Sequence, residues 1–266
     1  MTPNLSGVAE TLLIPVRARA YESGRPDALL QDPWAIHLLE QLALAPSSKD
    51  ELSAATLIGT VLRTLSFDQK ITAFMDAYPE GVVVNLGCGL DARYHRLCPA
   101  SVRWFDLDVA ESMTLRKQFF EEKPNYKMLT GSMFDDAWRQ QVPKNTPILI
   151  FFEGVSMYFP EAQLRPWLLS LFHEFTQADV VFDVLSKALA NNTQRHPDVK
   201  KYQAPFKWGL NAAVELRQWA PEMIVVADES YMGKPPLHRW PLSIRLLKWL
   251  PAVQRMCRVI HLRYEP

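Results

Sequence analysis

Gly87 and Gly89 directly follow the run Val82, Val83, Val84, Asn85 and Leu86. Glycines in such a turn let the backbone approach a ligand closely and pass tightly into a helix, whose free amides favour negatively charged ligand atoms. About twenty residues further on, Trp104-Phe105-Asp106-Leu107-Asp108 brings two carboxylates to the end of the next apolar run. An acidic side chain at that place accepts hydrogen bonds from both ribose hydroxyls of a nucleoside. Together the two features predict a nucleoside site. The alternative for Asp108 is a cap on a helix that opens near Ala110.

The residues after the turn bear on which nucleoside. Ala92 occupies the third position of a Gly-x-Gly-x-x-Gly pattern, which a dinucleotide fingerprint tolerates, so an NAD-dependent oxidoreductase stays open. Leu90-Asp91 points the other way, because a carboxylate there would repel pyrophosphate. It suits a ligand carrying an ammonium or sulfonium charge, such as S-adenosylmethionine. Glu153 follows Ile148-Leu149-Ile150-Phe151-Phe152 and so emerges at a strand's carboxyl end, where open α/β sheets place ligands. His173-Glu174 lacks a second histidine four residues after His173, and no metal site is predicted. His95 reads as a helix-surface residue.

The elements that must position these groups alternate. Strand-like runs are expected at 82–86, 102–107, 126–129, 148–152, 180–185, 223–227 and 259–264, with helices at 110–122 and 161–176 between them. Short, nearly continuous apolar strands separated by helices imply an α/β fold, a mostly parallel sheet with helices on both faces. Residues 1–80 read as helices: one over 8–22 interrupted at Pro15, one capped by Asp32-Pro33 and ended by Pro46-Ser47-Ser48, and one from 52 to 65 running on to Phe67, Ile71 and Phe74. Such a block either packs on the sheet or folds over the ligand as a lid. Residues 81–266 form the core, within which 186–222 is a polar and aromatic insertion expected on the substrate side.

Among 266 residues, 29 basic side chains balance 29 acidic ones, so no global field recruits nucleic acid or an anionic membrane. The three cysteines, Cys88, Cys98 and Cys257, form no Cys-x-x-Cys and suggest neither a disulfide framework nor a zinc cluster. The first residues lack a basic, then apolar, leader, and no apolar run approaches the ~20 residues of a membrane span. A cytoplasmic protein without stable membrane association is therefore expected. The tail from Lys234 to Glu265 is basic and carries Trp240, Leu246, Leu247, Trp249 and Leu250. It reads either as a solvated helix before the last strand or as an amphipathic surface toward a membrane or an acidic partner.

Five blocks in order resemble the leucine carboxyl methyltransferase superfamily, and within it the bacterial branch of tetracenomycin-type polyketide O-methyltransferases. They are Arg17 to Ser23 with Asp32-Pro33-Trp34-Ala35, Leu62-Arg63-Thr64 with Phe67-Asp68, Asn85 to Arg93, Trp104 to Asp108, and Phe152 to Phe159. Phe206 to Leu210 and His261 to Tyr264 extend the likeness to nearly the whole chain. The resemblance implies a class I methyltransferase fold, a Rossmann-like sheet of seven strands whose last hairpin is antiparallel, with S-adenosyl-L-methionine as cofactor. By motif position it places Gly87 and Gly89 along the methionine and ribose, Asp108 on the ribose with Asp106 beside it, and Arg63 on the methionine carboxylate. It places Glu153 at the charged methionine end with help from Arg19, and Ser132 with Met133 beside the adenine. Ala92 and Ser132 depart from the usual hydroxyl and aspartate of the family.

The activity so implied is O-methylation of a carboxylate or phenol on a small molecule, with Tyr21 and Tyr158 as candidate catalytic residues. A protein C-terminal carboxylate is the alternative acceptor. A non-catalytic regulator that binds the same cofactor is the alternative role.

Overall fold

The computed structural model describes residues 11–44, 52–175, 177–193, 198–199 and 204–264. All five residues of β1 (Val82–Leu86) are buried, and because side chains alternate across a strand they serve two cores. Val82, Val84 and Leu86 pack with Leu164, Trp167 and Leu171 of a helix on one face. Val83 packs on the other face with Phe67, Ile71 and Phe74. A continuous apolar strand is what a sheet covered on both sides requires.

The remaining strands are β2 (Arg103–Asp108), β3 (Tyr126–Thr130), β4 (Ile148–Phe152), β5 (Ala178–Leu185), β6 (Met223–Ser230) and β7 (Cys257–Tyr264). Each predicted strand lies within three residues of these bounds. They form one sheet in the order β3-β2-β1-β4-β5-β7-β6. The pairings β1 with β2 and β4, β2 with β3, and β4 with β5 are parallel, whereas β7 runs antiparallel to both β5 and β6. This is the seven-stranded α/β class I methyltransferase sheet. From β1 the chain order proceeds outward in both directions, through β2 on one side and β4 on the other. The carboxyl ends of β1 and β4 therefore flank the switch-point crevice in which such sheets hold ligands.

The helices of residues 11–44 and 52–80 supply one covering layer. Helix α1 (Leu13–Ser23) carries Pro15 in its first turn, where no intrahelical amide is needed, so the expected interruption does not occur. Helix α2 (Pro33–Gln41) starts as predicted, with the Asp32 side chain accepting from the Ala35 amide at 3.0 Å and proline in the first turn. Helix α3 (Ala54–Ala77) is one unbroken element whose Phe67, Ile71 and Phe74 bury against the sheet. The expected break at Pro46 to Ser48 lies outside the described residues.

Beyond β1 come α4 (Arg93–Leu97), α5 (Ala110–Arg116), α6 (Glu161–Glu174), α7 (Lys187–Ala190), α8 (Leu242–Leu247) and α9 (Pro251–Gln254). Helix α5 stops well short of residue 122, because the chain turns back there and Lys123 pairs with Tyr126 across Pro124. The 186–222 segment holds α7 and a 3₁₀ turn at Ala213–Gln218; its His196 and Tyr202 lie outside the described residues. Among the described residues no helix is long and apolar enough to cross a membrane, and no cluster of histidine, cysteine and acidic side chains has a geometry that would hold a metal.

Candidate cofactor site

The glycine turn leaves β1 with Gly87 at φ +67° and Gly89 at φ +47°, both in the region that favours glycine. The Gly87 and Cys88 amides donate to the Leu107 carbonyl at 2.8 and 3.1 Å, which seats the turn on the end of β2. A Cβ at Gly87 would stand 2.7 Å from Val155 Cγ2, and one at Gly89 would stand 3.4 Å from Leu12 Cβ. The turn is thus held between the loop after β4 and the chain entering α1. Gly87→Ala combines a left-handed backbone with a collision, and should lower stability by about 2–4 kcal/mol. A urea melt whose midpoint shifts by less than the equivalent of ~1 kcal/mol would show that the turn tolerates a side chain.

Asp108 clears the end of β2 and takes the Gly89 amide at 2.6 Å on one oxygen and the Val109 amide at 2.7 Å on the other. Burial raises its pKa, and the two amide donors oppose that rise. Helix α5 is N-capped at Val109 with no side-chain cap, so Asp108 does not serve as the helix cap. Asp108 also lines the cavity, as does Ser112, which hydrogen-bonds to it.

Asp106 corrects the sequence reading. Two residues inside the strand, it does not line the cavity but lies buried against Arg116, accepting from Tyr126 Oη at 2.6 Å and Trp104 Nε1 at 2.8 Å. Arg116 in turn donates to the Gly89 carbonyl at 2.9 Å, so Asp106 holds the glycine turn from behind.

At the carboxyl end of β4 three elements bring together a buried charge network. Arg63 of α3 donates through Nε to Glu153 Oε1 at 2.9 Å and through Nη1 to Asp183 Oδ2 at 3.0 Å. Asp183, fully buried on β5, also accepts the Gly154 amide at 2.6 Å. Arg93, at the start of α4, reaches Asp68 and Glu153, each at 2.6 Å, and also Asp91. Arg19 lines the cavity while its Nε is paired to Asp32 at 2.8 Å. Asp183 and Arg93 do not line the cavity but hold Arg63 and Glu153 in place from behind. The signal for Asp183 was a lone carboxylate inside the apolar run Val180 to Leu185.

Burial pushes the Glu153 carboxyl toward its neutral form, but the Arg93 and Arg63 guanidinium groups outweigh it and hold the pKa down to about 2. For Asp183 and Asp91 burial prevails over Arg63 and Arg93 respectively, and both are raised. A depressed acid contributes stability fully above its unfolded value, 4.5 here, and loses it as pH falls toward about 2. The raised acids act in the opposite sense, losing stability as pH climbs past their unfolded values. The difference between wild type and Glu153→Gln isolates the first effect: their gap in unfolding free energy should shrink by about 3 kcal/mol between pH 4.5 and pH 2. A gap that stays constant across that range would remove the assignment.

Arg19, Arg63, Asp91 and Glu153 of this network line a cavity of about 650 Å³, whereas Asp68, Arg93 and Asp183 lie behind its wall. Ser132 and Met133 line it beyond Asp108. The Ser132 amide donates to Asp135 Oδ2 at 3.1 Å, and its hydroxyl accepts the Phe134 amide at 3.2 Å. The other end is apolar and rich in sulfur, with Met157, Phe206, Tyr231, Met232, Ile244 and Met256 in its wall. Tyr158 lines that end, its ring 5.6 Å from Phe206, and burial raises its phenol pKa. Tyr21 does not line the cavity. It lies about 200° round the helix from Arg19, at about 100° per residue, and packs against the Ile14 and Ala18 cluster.

The turn, the ribose-type carboxylate and the charge network fit an adenosyl amino acid better than a dinucleotide, because Asp91 and Glu153 crowd the crevice with carboxylates. Comparison with known proteins agrees. A family model described as leucine carboxyl methyltransferase matches residues 13–169. The tetracenomycin polyketide synthesis O-methyltransferase TcmP of Streptomyces glaucescens is 28% identical over 97% of this chain and 98% of its own. The S-adenosyl-L-methionine-dependent methyltransferase dpfgK of Gibberella zeae is 25% identical over 86% of both chains. Among solved structures, a SAM-dependent methyltransferase from Anabaena variabilis aligns over 100% of this chain and 98% of its own, at TM-score 0.52 and 13% identity, a likeness of fold alone.

Proposed function

The chain belongs to the leucine carboxyl methyltransferase family and is an S-adenosylmethionine-dependent methyltransferase, and we propose that its acceptor is an oxygen, carboxylate or phenolate, of an apolar small molecule. The observation that carries this reading is one continuous cavity of about 650 Å³ whose wall joins the charged residues at the glycine turn, which suit the cofactor, to an apolar set that suits an apolar acceptor. That a relative matched end to end is a polyketide O-methyltransferase supports the oxygen acceptor.

When bound, S-adenosylmethionine supplies a methyl group on a cationic sulfur, open to attack by a nucleophilic oxygen. Arg63 binds the methionine carboxylate, and Glu153 with Asp91 faces the ammonium. Gly87 and Gly89 let the backbone lie close to the ligand, Asp108 accepts from the ribose, and Ser132 with Met133 borders the adenine. Arg19 adds positive charge from α1. Residues 11–16 close over the glycine turn as a cover, and the 186–222 segment walls the acceptor side through Leu189, Val199 and Phe206. Holding two reactants together in a water-poor cavity can supply ~7 to 11 kcal/mol of the barrier.

A carboxylate acceptor arrives already ionised and needs positioning only. A phenol, with an unperturbed pKa near ~10, must lose its proton. Tyr158, whose phenol pKa is raised by burial, would orient the acceptor as a hydrogen-bond donor. Incubation with isotopically labelled S-adenosylmethionine and a panel of apolar acids and phenols tests the proposal by mass spectrometry. A base-labile labelled ester or a stable labelled ether supports it. Label on a polypeptide carboxyl terminus or on nitrogen, or on nothing in the panel or a cell extract, overturns it.

A further inference from the structure

We propose that the surface made by α8 and the Trp249-Leu250 link into α9 docks on an anionic phospholipid membrane. A solvated helix turns polar side chains outward, but here Leu242, Leu246 and Trp249 are 62%, 69% and 81% exposed, with Leu247 and Leu250 about half exposed. Five large apolar side chains within nine residues form one outward patch, which an isolated domain has no reason to present to water.

Charge selects the occupant. From Tyr231 to Tyr264 the sequence has no Asp or Glu. Three of the basic residues away from the patch are neutralised by the rest of the fold: Arg239 by Glu22 and Asp27, Arg258 by Asp228, and Arg263 by Asp179. Arg245 and Arg255, both exposed, have no acidic partner among the described residues, and the Lys248 ammonium lies 4.6 Å from the centre of the Trp249 ring. Unneutralised cations are therefore concentrated around the tryptophan and leucines, although the whole chain carries no net charge. Tryptophan and leucine at the acyl boundary, with arginine and lysine reaching anionic headgroups, is how a surface segment lies in a bilayer interface.

The same segment bounds the apolar end of the cavity, since Ile244 of α8 lines it together with Met232 and Met256. A docked protein would hold its acceptor end beside the phase into which an apolar acceptor partitions. That consequence rests on the function proposed above, whereas the docking itself does not.

Cosedimentation of the full chain with vesicles of phosphatidylcholine alone, or mixed with phosphatidylserine, tests this. Binding is expected to the mixed vesicles only, and to weaken as salt rises. Leu246→Ser with Trp249→Ser should weaken it by about tenfold or more. Arg245→Gln and Arg255→Gln should each weaken it about fivefold. Calorimetric S-adenosylmethionine binding should stay at the wild-type value in all of these variants, which shows that they fold. No binding to mixed vesicles, or equal binding by wild type and variants, overturns the proposal. So does a dimer in sedimentation velocity that Leu246→Ser dissociates, because the patch would then belong to a second copy. Failure of methyl transfer to any oxygen acceptor with vesicle binding intact counts against the reaction and not against the docking.

Discussion

Arg93→Ala should cost the protein at least about 4 kcal/mol of stability, a large share of the ~5–15 kcal/mol that holds a typical domain together. The side chain is 1% exposed and serves three carboxylates, Asp68 on α3, Asp91 in the turn before α4 and Glu153 just after β4. It also lies over the rings of Phe67 and Phe151, at 5.7 and 5.2 Å from their centres, so truncation opens a void as well. Asp68 keeps Arg96 and Glu153 keeps Arg63, but Asp91 loses its only ion-pair partner among the described residues. Burial already raises the Asp91 pKa with Arg93 in place, and loss of the Arg93 guanidinium raises it further. Arg93→Lys should recover little of the loss, because one ammonium cannot span three acceptors held by a planar fork. Urea denaturation measures the effect; a loss below ~1 kcal/mol would show that the network is dispensable to the fold.

Arg63→Ala is expected to fail mainly in binding. It should weaken S-adenosylmethionine about 100-fold, about 3 kcal/mol, because the proposed charge-assisted contact to the methionine carboxylate would be lost. Its cost to the apo fold should be smaller than that of Arg93→Ala, since Glu153 retains Arg93 and Asp183 retains the Gly154 amide. Arg63 lies in the wall of the cavity and against Gly154, where an added Cβ would stand 3.4 Å from Nη2, so the cation is already fixed where the proposed carboxylate would meet it. Arg63→Lys should restore part of the affinity by charge alone. Calorimetric titration separates the outcomes: near-wild-type affinity in Arg63→Ala would remove the contact, whereas lost affinity with an unchanged melting temperature would establish it.

These two arginines show how far the site was legible. Arg63 was found by its place in a motif. Arg93 stood in the same block as the glycine turn, yet nothing in local sequence says that it gathers carboxylates from positions 68, 91 and 153. Of the two aspartates on β2, spacing alone nominated both. Only the position of the strand's end relative to Arg116 separates the one that reaches the cavity from the one that braces the turn. Tyr21 was nominated by its motif, and the fold packs it in the cluster of Ile14 and Ala18 and not in the cavity wall. The basic tail had two readings, and the outward exposure of Leu246 and Trp249 is the observation on which the docking proposal rests.

What the chain determines by itself is local and periodic. Runs of β-branched and apolar residues place the seven strands, Asp32-Pro33 starts α2, and Gly87-Cys88-Gly89 demands a tight turn, because burial, capping and backbone sterics act over a few residues. The convergence of groups far apart in sequence was decided by the tertiary structure. Arg63 meets Asp183 across 120 positions and Arg93 meets Glu153 across 60. Such pairings depend on which strands become neighbours and on which side of each helix turns inward, and both are settled by burying the two faces of the sheet at once.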